Sequence, residues 1–181
     1  MLIAALLFAG ASPEIALLDA FKAGCQRVDD LAAAQADAAA AGWVEVAEEV
    51  EPRIARLLKL GRDAMKGYGK VSGATFKRSI AGRDVFLILS RYEEEGGFWG
   101  NGCRVFDFDA PAAIAPKTVD GWMGRIPTGT ETLPGIAKRL WEPGWREGVT
   151  VEINFVAAGA AAAGNTGLQG TILVAQAMGG F

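Results

Sequence analysis

Histidine, the usual general base and the commonest transition-metal ligand, does not occur among the 181 residues. Ser-His-Asp and Cys-His hydrolysis are therefore excluded, and a tetrahedral zinc site built from Cys and His lacks its donors. Carboxylates are the acid-base groups that remain. A glycosidase needs only two of them across a cleft, and Glu152 and Asp107 each interrupt a strand pattern. The simpler account makes Glu152 the solvent-facing residue of an alternating strand and Asp107 a turn former at a strand end. Asp107-Phe-Asp109 followed by Ala-Pro lacks the spacing of a calcium loop.

Glycine is abundant, at 24 residues, but no phosphate loop survives a check of spacing. Gly67-Tyr-Gly-Lys70 lacks the Walker A spacing and the Ser or Thr after its lysine. Gly164-Asn-Thr-Gly167-Leu-Gln-Gly170 precedes a strand pattern, where a dinucleotide-binding loop would follow one. Both read as turns, and no cofactor or metal is expected. The positive hint of recognition is aromatic. Phe98 and Trp99 lie beside a Gly-rich turn, and Trp141 and Trp145 lie in a Pro- and Gly-rich stretch. Aromatic side chains on loops can stack on sugars or anchor a partner. Core filling explains them equally well, and explains Trp43 better.

The elements that would position these residues fall into two blocks. Ser12-Pro13-Glu14 opens a helix to about Arg27, with Leu17, Phe21 and Cys25 on one stripe. A second, Ala-rich helix starts at Asp29 or Asp30 and runs through Leu31 to Ala41, where Gly42 ends it. A third begins near Pro52 and weakens at Gly61. From Gly73 the period changes to two. Ala74–Ile80 and Val85–Tyr92 form a hairpin, and Phe98–Phe108 returns as a further strand. Lys117–Trp122 makes a short helical turn, and residues 124–148 read as loops with a short strand near Ile136–Trp141. Val149 to Phe155 alternates cleanly, Gly159–Gly167 reads as a loop, and Thr171–Gln176 gives a last strand. The expectation is an α+β fold in which two to three helices cover one face of a largely antiparallel sheet of about five strands.

A 51% hydrophobic chain of this length makes one domain, and a net charge of -3 leaves no basic field for nucleic acid. No segment is apolar for long enough to span a membrane as a helix. Residues 1–11, an apolar run ending Ala9-Gly10-Ala11, fit a short signal peptide without a basic start, which leaves 12–181 as the domain. An apolar N-terminal helix packed on the domain is the alternative. Two cysteines in an exported chain can close one bridge, Cys25 to Cys103, stapling a helix to a strand. Two buried free thiols in a cytosolic protein is the competing reading.

The arrangement Phe21-x-x-x-Cys25, an Ala-rich helix ending in Gly42-Trp43, and Gly102-Cys103-Arg104-Val105 before an Asp-Ala-Pro turn resembles uncharacterised exported proteins of alphaproteobacteria. That group carries no assigned activity, so the resemblance implies the helix-to-strand bridge and nothing about function. The sequence thus leads to a non-enzymatic periplasmic or secreted module that binds an envelope protein or glycan through Phe98, Trp99, Trp141 and Trp145. A carboxylate-dependent hydrolase of an envelope polymer and a structural subunit that assembles through a sheet edge are the alternatives.

Overall fold

The structure, a computed structural model, describes residues 12–180. The segment read as an export signal lies outside the described residues. Helix α1 (Pro13–Cys25) begins as its cap residues dictate: Ser12 Oγ accepts the Ile15 amide at 3.3 Å and Pro13 takes the first helical position. Asp30 caps α2 (Leu31–Ala40) by accepting the Ala33 amide at 3.0 Å. Gly42, at φ +82°, then turns the chain into the left-handed region that ends the helix.

After a short strand β1 (Val44–Val46) and a 3-10 turn at Glu48–Val50, Glu51 caps α3 (Pro52–Met65). This helix continues through Gly61 instead of weakening there. Strands β2 (Lys70–Ile80), β3 (Arg83–Glu93) and β4 (Trp99–Asp107) follow as a meander. Then come α4 (Pro116–Met123), β5 (Gly129–Leu133), β6 (Ile136–Trp141), β7 (Val149–Val156), a short α5 (Ala161–Thr166) in the stretch expected to be loop, and β8 (Gly170–Gly179).

The strands make a single eight-stranded sheet in the order β1-β2-β3-β4-β8-β7-β6-β5, antiparallel at every pairing. The α+β class holds, but the sheet is larger than the five strands expected. Strand β6 is the short strand read near Ile136–Trp141, whereas β1 and β5 have no counterpart in the sequence pattern; both are edges, short and mostly exposed, so neither carries the apolar alternation that marks a half-buried strand.

The expectation that the helices share one face is also corrected. Along β3, Val85, Leu87 and Leu89 enter one core with Leu17, Phe21, Ala34 and Ala38 of α1 and α2. Phe86 and Ile88, alternating with them, enter a second core with Phe106, Phe108 and Ile54 of α3. Successive side chains of a strand point to opposite faces, so a continuous apolar run such as Val85–Leu89 requires cover on both. Helix α4 joins the α1 face, where Val119 is buried and Arg139 pairs with Asp120 at 2.5 Å. Cys25, at the end of α1, bridges Cys103 in the middle of β4, with Cα atoms 5.5 Å apart. The bridge ties the first helix to the centre of the sheet.

Candidate functional site

The three tryptophans singled out in the sequence pack within the fold. Trp141 is 0% exposed in the α1-face core, its indole N–H donating to the Arg125 carbonyl at 3.2 Å. Trp145 meets Phe21 edge-on at 5.4 Å between ring centroids and donates to the Gln26 carbonyl. Trp99 lies between the Arg91 guanidinium, 5.1 Å from its ring centroid, and Gly179, where a Cβ would strike the indole at 2.6 Å. Phe98 is half-buried, packs edge-on against Tyr92 at 6.4 Å and lines an open groove on the α3 face of the sheet.

Trp145 and Trp122 line a concavity of about 510 Å³ together with Lys22, Arg125 and Arg146. Its cations are already engaged. Arg146 pairs with Asp29, Arg125 donates to the Pro143 carbonyl, and Lys22 lies over the Trp122 ring.

The two carboxylates considered for hydrolysis point away from each other. Glu152 projects from the α3 face of β7 and pairs with Lys138 at 3.0 Å. Asp107 projects from the α1 face of β4, is 0% exposed and pairs with Arg83 at 2.8 Å. A sheet lies between them, so they cannot flank one bond.

The α3 face contains a larger feature that the sequence reading passed over. Helix α3 is anchored at its N-terminal end by Ile54, which is fully buried, with Leu57 and Leu58 half-buried behind it. From Gly61 onward every helix residue is exposed, so the C-terminal half roofs an open groove of about 910 Å³. The floor is built in rows by strand register. Nearest the anchor lie Thr75, Ile88, Arg104 and Val174. Next come Gly73, Ser90, Gly102 and Gln176, and at the mouth Val71, Tyr92, Gly100 and Met178. Three of these twelve positions are glycine, which strips the centre of the floor and gives the groove its depth. Leu57, Leu58, Met65, Val71, Ile88 and Met178 give it an apolar lining.

Arg104 is the charged floor residue in the row nearest the anchor. Its guanidinium donates to Ser90 Oγ at 3.0 Å and lies against Gly102, where a Cβ would run into Nη1. Arg104 has no ion-pair partner among the described residues. Burial lowers its pKa from the ordinary arginine value, while the Glu152 carboxylate acts in the opposite sense. Of the other arginines that line the groove, Arg62 of α3 is neutralised by Glu48 through contacts of 2.7 and 2.8 Å, and Arg91 of β3 pairs with Glu93 at 2.7 Å.

Comparison with protein-family models, with curated proteins and with solved structures gives no match. The reading of the groove therefore rests on its own chemistry. The signal for it is present in the sequence as Gly100-x-Gly102-x-Arg104, three residues on one face of one strand. Glycines spaced by two can also merely loosen a strand. Only the register that sets Gly73 and Ser90 beside Gly102, and a helix overhead, makes them a floor.

Proposed function

We propose that this protein is a non-enzymatic binding module acting outside the cytoplasm, and that its ligand is a small molecule with an apolar body held in the groove beneath α3. The observation that carries this reading is the groove itself: a large, open, apolar-walled trench cleared by glycines, with a few polar groups converging at its inner end. The Cys25–Cys103 bridge supports the extracytoplasmic part, since disulfides persist in oxidising compartments. The lack of histidine and the separation of Glu152 from Asp107 support a binding role over a hydrolytic one. The tryptophans, occupied within the fold, are a poorer site for an envelope partner than the groove.

Gly61 offers a clean test. It lines the groove from α3, and nothing lies within 4 Å of where its Cβ would stand. Gly61→Trp therefore adds bulk to the groove from a Cβ position that meets no neighbour, and tryptophan suits a helix better than glycine does. A neutral, environment-sensitive dye such as N-phenyl-1-naphthylamine should bind the wild type saturably and Gly61→Trp at least about tenfold more weakly, a loss of about 1.4 kcal/mol. Equal dye binding by a folded Gly61→Trp protein, or no saturable binding by the wild type, would sink the reading.

A further inference from the structure

Resting on the groove as the binding site, we infer that its ligand is a single-chain amphiphile with a carboxylate head, bound head-inward on Arg104 with its chain running out beneath α3. The inner end of the groove carries an arginine with one hydrogen bond to the described residues, to Ser90 Oγ. A guanidinium has five N–H donors, so most of its capacity is unspent. Holding such a cation beside apolar walls is costly unless an anion meets it. That cost is already borne in the folded protein, which makes the site preorganised for a negative head.

The charge balance favours a monoanion. Among the described residues Arg104 is the groove-lining cation without an ion pair: Arg62 is neutralised by Glu48, Arg91 pairs with Glu93, and the Glu152 carboxylate adds negative potential from β7. A phosphate, carrying more charge, would want a second cation. A carboxylate matches the planar guanidinium fork, and the Ser90 hydroxyl stands beside it.

The register sets the orientation and the length. Arg104 sits in the inner row, next to Ile88, and Gly100 sits at the mouth beside Tyr92 and Met178. Four strand residues separate the two rows, about 13 Å, which fits an extended chain of about ten carbons. Leu57, Leu58, Val71 and Met178 give that path apolar walls, with Ser90 and Gln176 in its middle row, and it stays open at the outer end. Met65, Val71 and Met178 are all exposed large hydrophobics, an unusual cluster unless something covers it. A free acid and a chain that ends in an acyl-linked carboxylate share this chemistry.

The test is displacement of the neutral dye from the full chain by ten-carbon competitors below their micelle concentrations: decanoate, decanol, decyltrimethylammonium and decyl phosphate. Decanoate should compete about ten- to hundredfold better than decanol, the worth of a hydrogen-bonded charge. In Arg104→Met, which keeps the side-chain length and loses the charge, that preference should fall to about onefold while the dye still binds. Gly102→Ala, which pushes the guanidinium aside without touching its charge, should also weaken the preference. Decanol matching decanoate on the wild type, or decyl phosphate binding more tightly than the acid, would overturn the inference while leaving the groove reading intact. Decanoate bound more weakly by Gly61→Trp and by Arg104→Met alike would support both. Decanoate binding unaffected by both Gly61→Trp and Arg104→Met would overturn both.

Discussion

Reducing the Cys25–Cys103 bridge should destabilise the domain by about 4 to 5 kcal/mol. The bridge closes a loop of 78 residues. In the chain-entropy treatment this removes about 15 cal/mol/K from the unfolded state, or about 4.5 kcal/mol at room temperature. Both sulfurs are fully buried, between α1 and the middle of β4, so reduction has to be carried out in denaturant before refolding. For a chain of this length each kcal/mol shifts the melting temperature by about 2 to 4 °C, so refolded reduced protein should melt about 9 to 18 °C below the oxidised form. Circular dichroism melts with and without reductant measure this. Urea unfolding should show a steeper slope for the reduced form, because an uncrosslinked unfolded chain exposes more surface. Cys25→Ala/Cys103→Ala should melt near the reduced wild type and ignore reductant. A reduced protein melting within about 3 °C of the oxidised one would show that the loop is already restrained in the unfolded chain, and the reasoning would fail.

The remaining expectations concern the groove and the buried charges. Gly102→Ala should leave the melting temperature within a few degrees of wild type, because the atom it meets is the end of the mobile Arg104 side chain; a large loss of stability would show that the guanidinium cannot move. Arg83→Met should cost about 3 to 5 kcal/mol by stranding Asp107, which is wholly buried with Oδ1 already unpartnered; a denaturant titration showing less than about 1 kcal/mol would refute this. Acid should loosen α3 first. The Arg53 guanidinium holds the Glu51 carboxyl below the usual range, and Arg62 does the same for Glu48. Groups whose folded pKa is depressed lend their support above the unfolded value of about 4.3 and lose it as the pH falls through the lower folded value. Dye binding should therefore disappear below about pH 4, ahead of the loss of far-ultraviolet signal, and a single coincident transition would count against it.

The two blocks, helices and then strands, were legible because they rest on local chemistry. Ser12, Pro13, Asp30, Gly42 and Pro52 act within a turn of where they stand, and the Val149–Phe155 alternation needs only one buried face to exist. The Cys25–Cys103 pairing was legible because two cysteines allow a single intramolecular bridge. Strands β1 and β5 were not, since an edge strand gains its hydrogen bonds from a neighbour and needs no pattern of its own.

The placement of the helices was decided in three dimensions. Ile54, Leu57 and Leu58 show that α3 has an apolar side, but only the pairing of β3 with β2 and β4 shows that Phe86, Ile88 and Phe106 form a second face for it to cover. The same holds for the tryptophans, whose Pro- and Gly-rich surroundings in the chain say nothing about Trp141 being sealed in the core or Trp145 meeting Phe21. The groove is the clearest case. Gly73, Ser90, Gly102 and Arg104 are up to 31 positions apart in the chain and become neighbours through hydrogen-bonded register. Residue types carry side-chain chemistry wherever they stand, but register and the stacking of layers decide which of them meet. Those arise from long-range pairing that no local segment contains.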